Sequence, residues 1–238
     1  MRGAPGATRF GPEMKRLLLV GHGRMGRLVE SLAPEYGFEV GGVVSSRTPA
    51  SSEWPAADVA IDFSTASAVP QTVARAAKAG MPIVIGTTGW QASEDEVRRT
   101  ADGVIGVVAA PNFSIGVNVF LSVVERLGSL MSAQPAFGAW IHELHHAAKK
   151  DAPSGTALAI ERRLREHGYS RDVAISSTRA GAIPGTHTLG FDAPSETITL
   201  THQARDRAAF ARGALVAAQW IDGKRGWFTM NDVLGGLQ

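Results

Sequence analysis

The segment from Lys15 to Gly26 constrains the fold of this chain more than any other. Lys15–Val20 is a short apolar run typical of a buried parallel strand, and the G-x-G-x-x-G sequence Gly21–Gly26 follows it directly. An amphipathic helix then extends to about Ala33. This order is the fingerprint of a dinucleotide-binding unit, in which the glycines let the backbone approach a pyrophosphate at the helix N-terminus. A plain tight turn between strand and helix is the alternative.

Strands and helices continue to alternate after this unit. Further strands are predicted at Phe38–Val44, Asp58–Phe63, Met81–Ile85 and Val104–Ala109, and helices at Ala66–Ala79 and Ser93–Ala101. Because right-handed crossovers keep successive strands parallel, the pattern predicts an α/β fold with a Rossmann-type, doubly wound parallel sheet.

The second half of the chain follows another pattern, starting near Ser114 with a long apolar helix, Ile115–Leu130. Three β-like runs come later without helices between them, and a helix follows at about Ala208–Asp222. The runs are Val173–Thr178, His187–Phe191 and Glu196–His202. They predict a second, α+β domain with a mixed, largely non-parallel sheet.

The loops after the first-half strands hold candidate cofactor-binding residues, because ligands bind at the carboxyl ends of parallel strands. NAD-binding versions carry an acid after the second strand, but here the strand runs into Ser45–Ser46–Arg47–Thr48. A basic residue with hydroxyls suits a 2′-phosphate, so we predict NADPH in preference to NADH. We expect that NADH is also accepted. An ordinary polar loop is the alternative interpretation of this segment. Gly86–Thr87–Thr88–Gly89 follows the fourth strand, where a helix-capping turn is the competing interpretation.

The fourteen residues from Glu143 to Thr156 combine two histidines, two lysines and a helix-start signal. We predict a loop between a strand-like segment, 136–141, and a helix at about Thr156–His167, with Ser154 as its N-cap. A helix start binds anions, and Lys149 and Lys150 lie just upstream. The stretch therefore predicts a pocket for a small molecule with a carboxylate or phosphate. A solvated basic loop is the alternative.

Two histidines of this stretch are candidates for proton transfer, since the imidazole of His145 or His146 titrates near neutral pH. His142–His146 also matches the zinc motif H-E-x-x-H, which requires a helix. Gly138 and the apolar run favour a strand, in which His142 and His146 cannot share a metal, so no metal site is predicted.

Composition excludes several other classes of protein. With no cysteine among 238 residues, disulfides, thiolate metal sites and cysteine nucleophiles are excluded. A formal net charge of +2, without a Lys/Arg cluster among aromatics, gives no indication of nucleic-acid binding. No apolar run reaches membrane-spanning length. Residues 1–13 lack the apolar core of a secretory signal, so we expect them to be a disordered extension and the protein to be cytoplasmic. A start at Met14 is the alternative.

Five segments carry a family resemblance in a fixed order along the chain. They are Gly23–Gly26, Gly86–Gly89, Asn112–Asn118, Glu143–Thr156, and Gly185–His187 with Gly190–Phe191. His-His-x-x-Lys followed by Asp-Ala-Pro-Ser-Gly-Thr is the most specific of them. On these residues the chain resembles the 4-hydroxy-tetrahydrodipicolinate reductase (dihydrodipicolinate reductase) family of lysine and diaminopimelate biosynthesis.

The resemblance implies a role for each matching residue. It implies NAD(P)H-dependent reduction of the dehydrated form of 4-hydroxy-tetrahydrodipicolinate to tetrahydrodipicolinate, with His145 as acid/base and Lys149 as the second catalytic residue and donor. The implied substrate-binding residues are His146, Lys149, Ser154, Gly155 and Thr156. The implied cofactor-binding residues are Gly21, His22, Gly23, Arg24, Met25, Gly86, Thr87, Thr88, Ala110, Pro111, Asn112 and Phe113, to which the 2′-phosphate argument adds Ser45, Ser46 and Arg47.

The resemblance also implies a domain division and an assembly. Residues 14–113 and 208–238 would form the dinucleotide-binding domain, and 114–207 a substrate-binding domain that also builds a homotetramer. Two features depart from the family pattern: the phosphate loop is one residue shorter than the usual G-x-x-G-x-x-G, and Ser45–Arg47 lacks the usual acid. Arg207 is a weaker candidate for the rim of the site, an ordinary helix-start charge being the alternative.

Two other functions fit parts of the sequence. Another two-domain NAD(P)-dependent dehydrogenase, acting on an amino acid or a semialdehyde, would share the first half without needing the Glu143–Thr156 stretch. A nucleotide-sensing regulator would keep the glycine loop and have no use for His145 and Lys149.

Overall fold

A computed structural model of the chain describes residues 14–49 and 51–235, so the extension expected at 1–13 lies outside the described residues. Contacts within the chain define two compact units. Among the described residues, the first consists of those up to Pro111 together with Ala214–Phe228, and the second of Asn112–Gly213 together with 229–235. The segment 208–238, which the resemblance assigned whole to the first domain, is therefore divided between the two units.

The first unit is built on a six-stranded sheet in the order β2-β1-β3-β4-β5-β10, in which every neighbouring pair is parallel. Its strands are β1 (Lys15–Val20), β2 (Phe38–Val44), β3 (Val59–Asp62), β4 (Ile83–Ile85), β5 (Gly106–Ala109) and β10 (Gly226–Phe228). Its helices are α1 (Arg24–Leu32), α2 (Val69–Lys78) and α3 (Glu94–Ala101), with 3-10 turns at Ala33–Tyr36, Ala66–Ala68 and Gln91–Ser93.

Burial explains why these segments form central strands. All four residues of β3 and all three of β4 are buried, as expected for strands covered on both faces by helices. Each predicted first-half strand forms within two residues of its predicted ends, and the Rossmann-type fold is confirmed. The strand β10 was not predicted, because a three-residue strand is stabilised only by pairing with its distant neighbour β5.

The second unit is built on a mixed four-stranded sheet in the order β7-β6-β8-β9. The strand β6 is parallel to β7 and antiparallel to β8, which is antiparallel to β9. The strands are β6 (Gly138–His145), β7 (Val173–Arg179), β8 (Thr186–Ala193) and β9 (Glu196–Gln203). The helices are α4 (Ile115–Ser132), α5 (Gly155–Glu166) and α7 (Met230–Val233), while α6 (Ala208–Trp220) contributes residues to both units.

One sequence-based boundary in this unit was wrong. Glu143–His145 was placed in a loop, but β6 continues to His145 because it pairs with β7 on one side and β8 on the other. Burial alternates along it, so Glu143 and His145 lie on the same buried face as Ala139 and Ile141. This face is therefore the one that holds the acid and the histidine.

Within the described residues, α4 is the single helix long and apolar enough to cross a membrane. Its buried residues recur at helical spacing and pack with β6 and α5 in the core of the second unit. They are Val117, Phe120, Val124, Gly128 and Met131. One face of α4 thus belongs to the core of the second unit.

Candidate active site

The glycine loop after β1 has the steric properties of a pyrophosphate cradle. Gly21 has φ +92°, and a Cβ there would lie 2.3 Å from the carbonyl oxygen of Phe63, directly after β3. A Cβ on Gly26 would lie 2.1 Å from the carbonyl oxygen of Gly21, so this glycine lets α1 pack closely on the loop. A Cβ on Gly23 would meet nothing within 4 Å. The loop is thus closed at its first and third glycines and open at the second, where a pyrophosphate approaches the backbone.

The loops after β3 and β4 are joined through Asp62, a fully buried acid at the end of β3. Its Oδ1 accepts from the Ser64 N–H (2.8 Å) and from the Thr87 hydroxyl (3.1 Å). Burial raises the pKa of Asp62 above its usual range, although these hydrogen bonds oppose the shift. Asp62 was missed by the sequence reasoning, although an acid closing an apolar strand was a visible signal.

The other predicted cofactor residues of this unit follow its strands. Ser45, Ser46 and Arg47 form a turn after β2, in which the Arg47 N–H donates to the Ser45 hydroxyl (3.3 Å) and the Arg47 side chain is exposed.

His22 pairs with Glu30 along α1 (2.7 Å), and Arg24 and Met25 are the first residues of that helix. Gly86, Thr87 and Thr88 follow β4, and Ala110 and Pro111 follow β5. Asn112 and Phe113 belong to the second unit.

The second unit has a buried carboxylate, Glu143, at its chemical centre. Arg179 donates hydrogen bonds to both of its oxygens, with Nη2 2.6 Å from Oε1 and Nη1 3.0 Å from Oε2. The Ser154 N–H donates to Oε1 (3.2 Å), and His145 Nδ1 contacts Oε2. Burial alone would raise the pKa of Glu143, but hydrogen bonds from Arg179, Ser177 and His145 outweigh it and lower the pKa to about 2. Glu143 is therefore ionised at any physiological pH.

His145 lies at the end of β6 and is 8% exposed. An ionised carboxylate only accepts, so the Nδ1 atom facing Glu143 carries a hydrogen, and Nε2 is the nitrogen left to exchange a proton. Burial lowers the pKa of His145, with the cations Lys149 and Arg179 adding to the shift and Glu143 opposing it. The imidazole is thus biased toward its neutral form in the absence of an anionic ligand.

A second buried histidine, His187, packs edge-on against His145 with ring centroids 5.0 Å apart. Its Nε2 is hydrogen-bonded to the Ser154 hydroxyl (2.9 Å), while its Nδ1 has no hydrogen-bond partner among the described residues. Burial, together with nearby positive charge at His145, lowers the pKa of His187 to about 4. His187 therefore remains neutral in the functional pH range.

The start of α5 presents the anion-binding features that the sequence predicted. The Ser154 hydroxyl caps the helix by accepting from the Ala157 N–H (3.3 Å). The N–H groups of Gly155 and Thr156 precede the first intrahelical hydrogen bonds, and a Cβ on Gly155 would meet nothing within 4 Å. This helix start is open to a ligand carboxylate.

Lys149 has a partner that the sequence reasoning did not name. Its Nζ lies 2.7 Å from both carboxylate oxygens of Asp151, and hydrogen bonding by Lys149 lowers the pKa of Asp151. Arg179 also donates to the backbone carbonyl of Asp151 (2.6 Å), so the loop that carries Lys149 is tied to the Glu143 cluster. His146 is half-buried and accepts from the Lys149 N–H through its carbonyl.

A metal in this cluster would have to displace existing hydrogen bonds. Potential ligand atoms of Glu143, His145 and His187 lie within 4.8 Å of one another. Both Glu143 oxygens, however, already bind Arg179, whose guanidinium would repel a cation at the same position. The helix that an H-E-x-x-H site needs is absent here, because His142 lies on strand β6 and is hydrogen-bonded to Thr178 (3.1 Å).

Comparison with known proteins matches both halves of the chain to one family. The model "Dihydrodipicolinate reductase, N-terminus" matches residues 15–113, and "Dihydrodipicolinate reductase, C-terminus" matches residues 116–234. The chain belongs to the dihydrodipicolinate reductase family. As a member of it, the chain is a reductase that depends on a nicotinamide nucleotide.

Individual relatives and solved structures agree with this membership. The 4-hydroxy-tetrahydrodipicolinate reductase of Caldanaerobacter subterraneus is 37% identical over 250 residues, covering 93% of this chain and 98% of that protein. The enzyme of the same name from Christiangramia forsetii is 34% identical over 239 residues, again covering 93% and 98%. A dipicolinate-bound dihydrodipicolinate reductase from Paenisporosarcina sp. TG-14 shares the fold, with a TM-score of 0.77 at 22% identity and coverage of 91% and 97%.

Two partners of the predicted residues were given no role from the sequence. Arg179 lies opposite His145 in the parallel pairing of β6 with β7, and His187 lies opposite Glu143 in the antiparallel pairing of β6 with β8. Glu143 itself had a signal, since residues two apart on a strand share a face. Arg179 had none, because its position depends on strand register. His187 lies in a segment that carries the family resemblance, but no role was inferred for it.

Proposed function

We propose that the chain reduces the dehydrated form of 4-hydroxy-tetrahydrodipicolinate to tetrahydrodipicolinate in lysine and diaminopimelate biosynthesis. The observation that carries this proposal is the cluster at the end of β6, where His145 and the open, cationic start of α5 share the carboxylate of Glu143. The names of the relatives and their nearly complete coverage support the same reaction. We assign the cofactor to the first unit and the substrate to the second.

The second unit binds the substrate through its carboxylates. The N–H groups of Gly155 and Thr156 receive one carboxylate, with the Thr156 hydroxyl beside them. Lys149 neutralises a carboxylate by exchanging its partner Asp151 for the ligand, and His146 lies beside it in the same turn. Holding both ends of the ring fixes the position of the reacting carbons, which is a large part of catalysis.

His145 supplies the proton that completes the reduction. A bound nicotinamide cofactor supplies hydride to one carbon of the C=C bond conjugated to the imine, and the adjacent carbon takes a proton. In the free protein burial lowers the pKa of His145, but a bound dianion opposes that shift and favours the imidazolium. His145 Nε2 then donates the proton, with Lys149 as the second donor of the site.

We infer a preference for NADPH over NADH. The Arg47 side chain is exposed just after β2 and forms no side-chain hydrogen bond or ion pair with any other described residue. It can therefore reach a 2′-phosphate, with the hydroxyls of Ser45 and Ser46 beside it. The ratio of kcat/KM for the two cofactors tests this, and a clearly higher value with NADH would refute it.

We further propose a cytoplasmic homotetramer, as the family resemblance implies. Trp140, His142 and Leu144 of β6 and Thr188 of β8 point away from the helices of the second unit. Trp140 lies across Gly190, where a Cβ would come 2.1 Å from the indole, so this face has a flat aromatic centre. A second copy of the chain would cover it.

The decisive experiment is NADPH oxidation in the presence of freshly generated product of the upstream aldol condensation. We expect absorbance at the cofactor's near-ultraviolet band to fall only when both compounds are present. Oxidation with aspartate-derived semialdehyde or an imino acid instead would show that the chain is another dehydrogenase. Tight NADPH binding without turnover of any of these would favour a nucleotide sensor.

A further inference from the structure

The ion pair between Glu143 and Arg179 contacts His145, the start of α5 and the loop that carries Lys149. Glu143 is fully buried, and its two oxygens receive hydrogen bonds from the guanidinium, from His145 and from the Ser154 backbone. We propose that Glu143, held by Arg179, is a positioning residue that sets the proton-donating nitrogen of His145 and the direction of the carboxylate-binding helix start together. The inference rests on the proposed function.

The first consequence concerns the tautomer of His145. Because Glu143 can only accept, a hydrogen is required on Nδ1, and Nε2 becomes the nitrogen that gains and loses the catalytic proton. On one side of the ring, Gly185 comes so close that a Cβ on it would lie 3.0 Å from Nε2. On the other, His187 packs edge-on at 5.0 Å. Without the carboxylate, nothing else in this contact would select Nδ1–H.

The second consequence concerns the carboxylate clamp. The Ser154 N–H donates to the same carboxylate, and Ser154 is the N-cap of α5. Moving Glu143 would therefore reorient the N–H groups of Gly155 and Thr156. Arg179 completes the link by donating to the Asp151 carbonyl (2.6 Å), beside the carboxylate that holds Lys149.

Stability alone does not account for this arrangement. A buried ion pair is weak evidence for stability, since its desolvation cost often cancels the attraction between the charges. The hydrogen bonds of this pair lead to His145, to the start of α5 and to the Lys149 loop, which are the parts that the proposed reaction uses. Orientation of the site is the role that these contacts support.

The first test compares Glu143→Gln with Glu125→Gln. The amide keeps the size of the side chain but no longer requires a hydrogen on His145 Nδ1. We expect kcat to fall roughly 10²-fold or more, and the kinetic pKa of His145 to move lower because the carboxylate that favoured the imidazolium is gone. Glu125→Gln breaks a partly buried ion pair with Arg163 in the same unit and should leave kcat and the pH profile unchanged. A Glu143→Gln enzyme with the normal pH profile would overturn the inference.

The second test determines the tautomer of His145 without an activity measurement. Nitrogen-15 NMR of labelled imidazoles should show His145 as the Nδ1–H tautomer in the wild-type protein and a shift toward Nε2–H in Glu143→Gln. A wild-type Nε2–H tautomer would refute the inference even if the enzyme is active. Conversely, an inactive wild-type protein with the expected tautomer would refute the proposed reaction alone.

Arg179→Lys provides a variant if Glu143→Gln fails to fold. Lysine keeps the charge beside Glu143 but cannot hold both of its oxygens and the Asp151 carbonyl at once. We expect the tautomer and most of kcat to remain, while KM for the substrate and the inhibition constant of dipicolinate rise at least roughly tenfold, about 1.4 kcal/mol. Unchanged constants for both ligands would show that Arg179 has no part in orienting the clamp.

Discussion

His145 and Lys149 differ from their neighbours in what surrounds them. The His145 imidazole is buried against a carboxylate, and the Lys149 ammonium is less exposed than the Asp151 side chain that it binds. Lys150, one residue further, is exposed and not part of the proposed site. The same loop therefore supplies both a candidate catalytic lysine and its matched control.

Substitution of these two residues should affect turnover much more than cofactor binding. We expect His145→Gln and Lys149→Met to lower kcat by about 10²–10⁴-fold, the usual contribution of a general acid. The dissociation constant for NADPH, measured by fluorescence titration, should stay within a factor of about two, since neither side chain lies in the first unit. Lys150→Met should retain normal turnover. Near-full activity in either catalytic variant would contradict the assignment.

Also at this scale, His187 makes the fold sensitive to acid. Its pKa of about 4 lies below the unfolded value of 6.5, so the neutral form stabilises the fold above pH 6.5, and this contribution is lost as the pH falls toward 4. We expect His187 to account for roughly 2–3 kcal/mol of the loss in unfolding free energy between pH 7.5 and 4.5.

Urea unfolding of the wild type and of His187→Gln at both pH values measures this contribution. The variant should lose less stability on acidification, although it starts from a lower value because the Ser154 contact is weakened. Equal losses in the two proteins would show that His187 titrates normally in the folded state.

At the scale of the element, two glycines of the loop after β1 should differ in what their substitution changes: Gly26 the stability of the fold, and Gly23 the binding of the cofactor. Gly26→Ala places a Cβ 2.1 Å from the Gly21 carbonyl oxygen and must displace α1, which should cost about 1–3 kcal/mol of stability. Gly23→Ala meets no atom within 4 Å and has an ordinary φ of −78°, so the fold should keep its stability.

The two variants should therefore fail in different assays. Gly23→Ala should raise the dissociation constant for NADPH at least roughly tenfold with an unchanged melting temperature, because the methyl group occupies the position of the pyrophosphate. Gly26→Ala should lower the melting temperature as well. Normal NADPH affinity in Gly23→Ala would show that the pyrophosphate does not approach this loop.

At the scale of the whole molecule, the outward face of the second sheet is where assembly can be tested. The wild-type protein should have a solution mass about four times the 25.1 kDa of one chain. Thr188→Glu places a charge on the outward face and should reduce this mass, while Ser170→Glu adds the same charge at an exposed position before β7. Light scattering after size exclusion distinguishes the outcomes, and a tetramer in both variants would exclude this face as the contact.

The separation of contacting residues along the chain explains which features the sequence could predict. The Rossmann unit and the N-cap of α5 were predicted because each depends on residues close together in the chain. Local residues left His145 and His146 as alternatives, and the family resemblance distinguished them. Arg179 and His187 were not assigned a role, because strand register places them, and register involves contacts 34 and 44 residues away from His145 and Glu143, respectively. The partner Asp151 was visible within the Glu143–Thr156 stretch but was given no role there.

The pairing of β10 with β5 has a consequence for biosynthesis. Because 226–228 are translated more than a hundred residues after 106–109, the nascent first unit must wait with β5 as an unpaired edge. Through that interval the emerging polypeptide exposes a strand that can pair with a neighbouring chain on a polysome. We therefore expect ribosome-stalled fragments ending before 226 to recruit chaperones more strongly than the released protein.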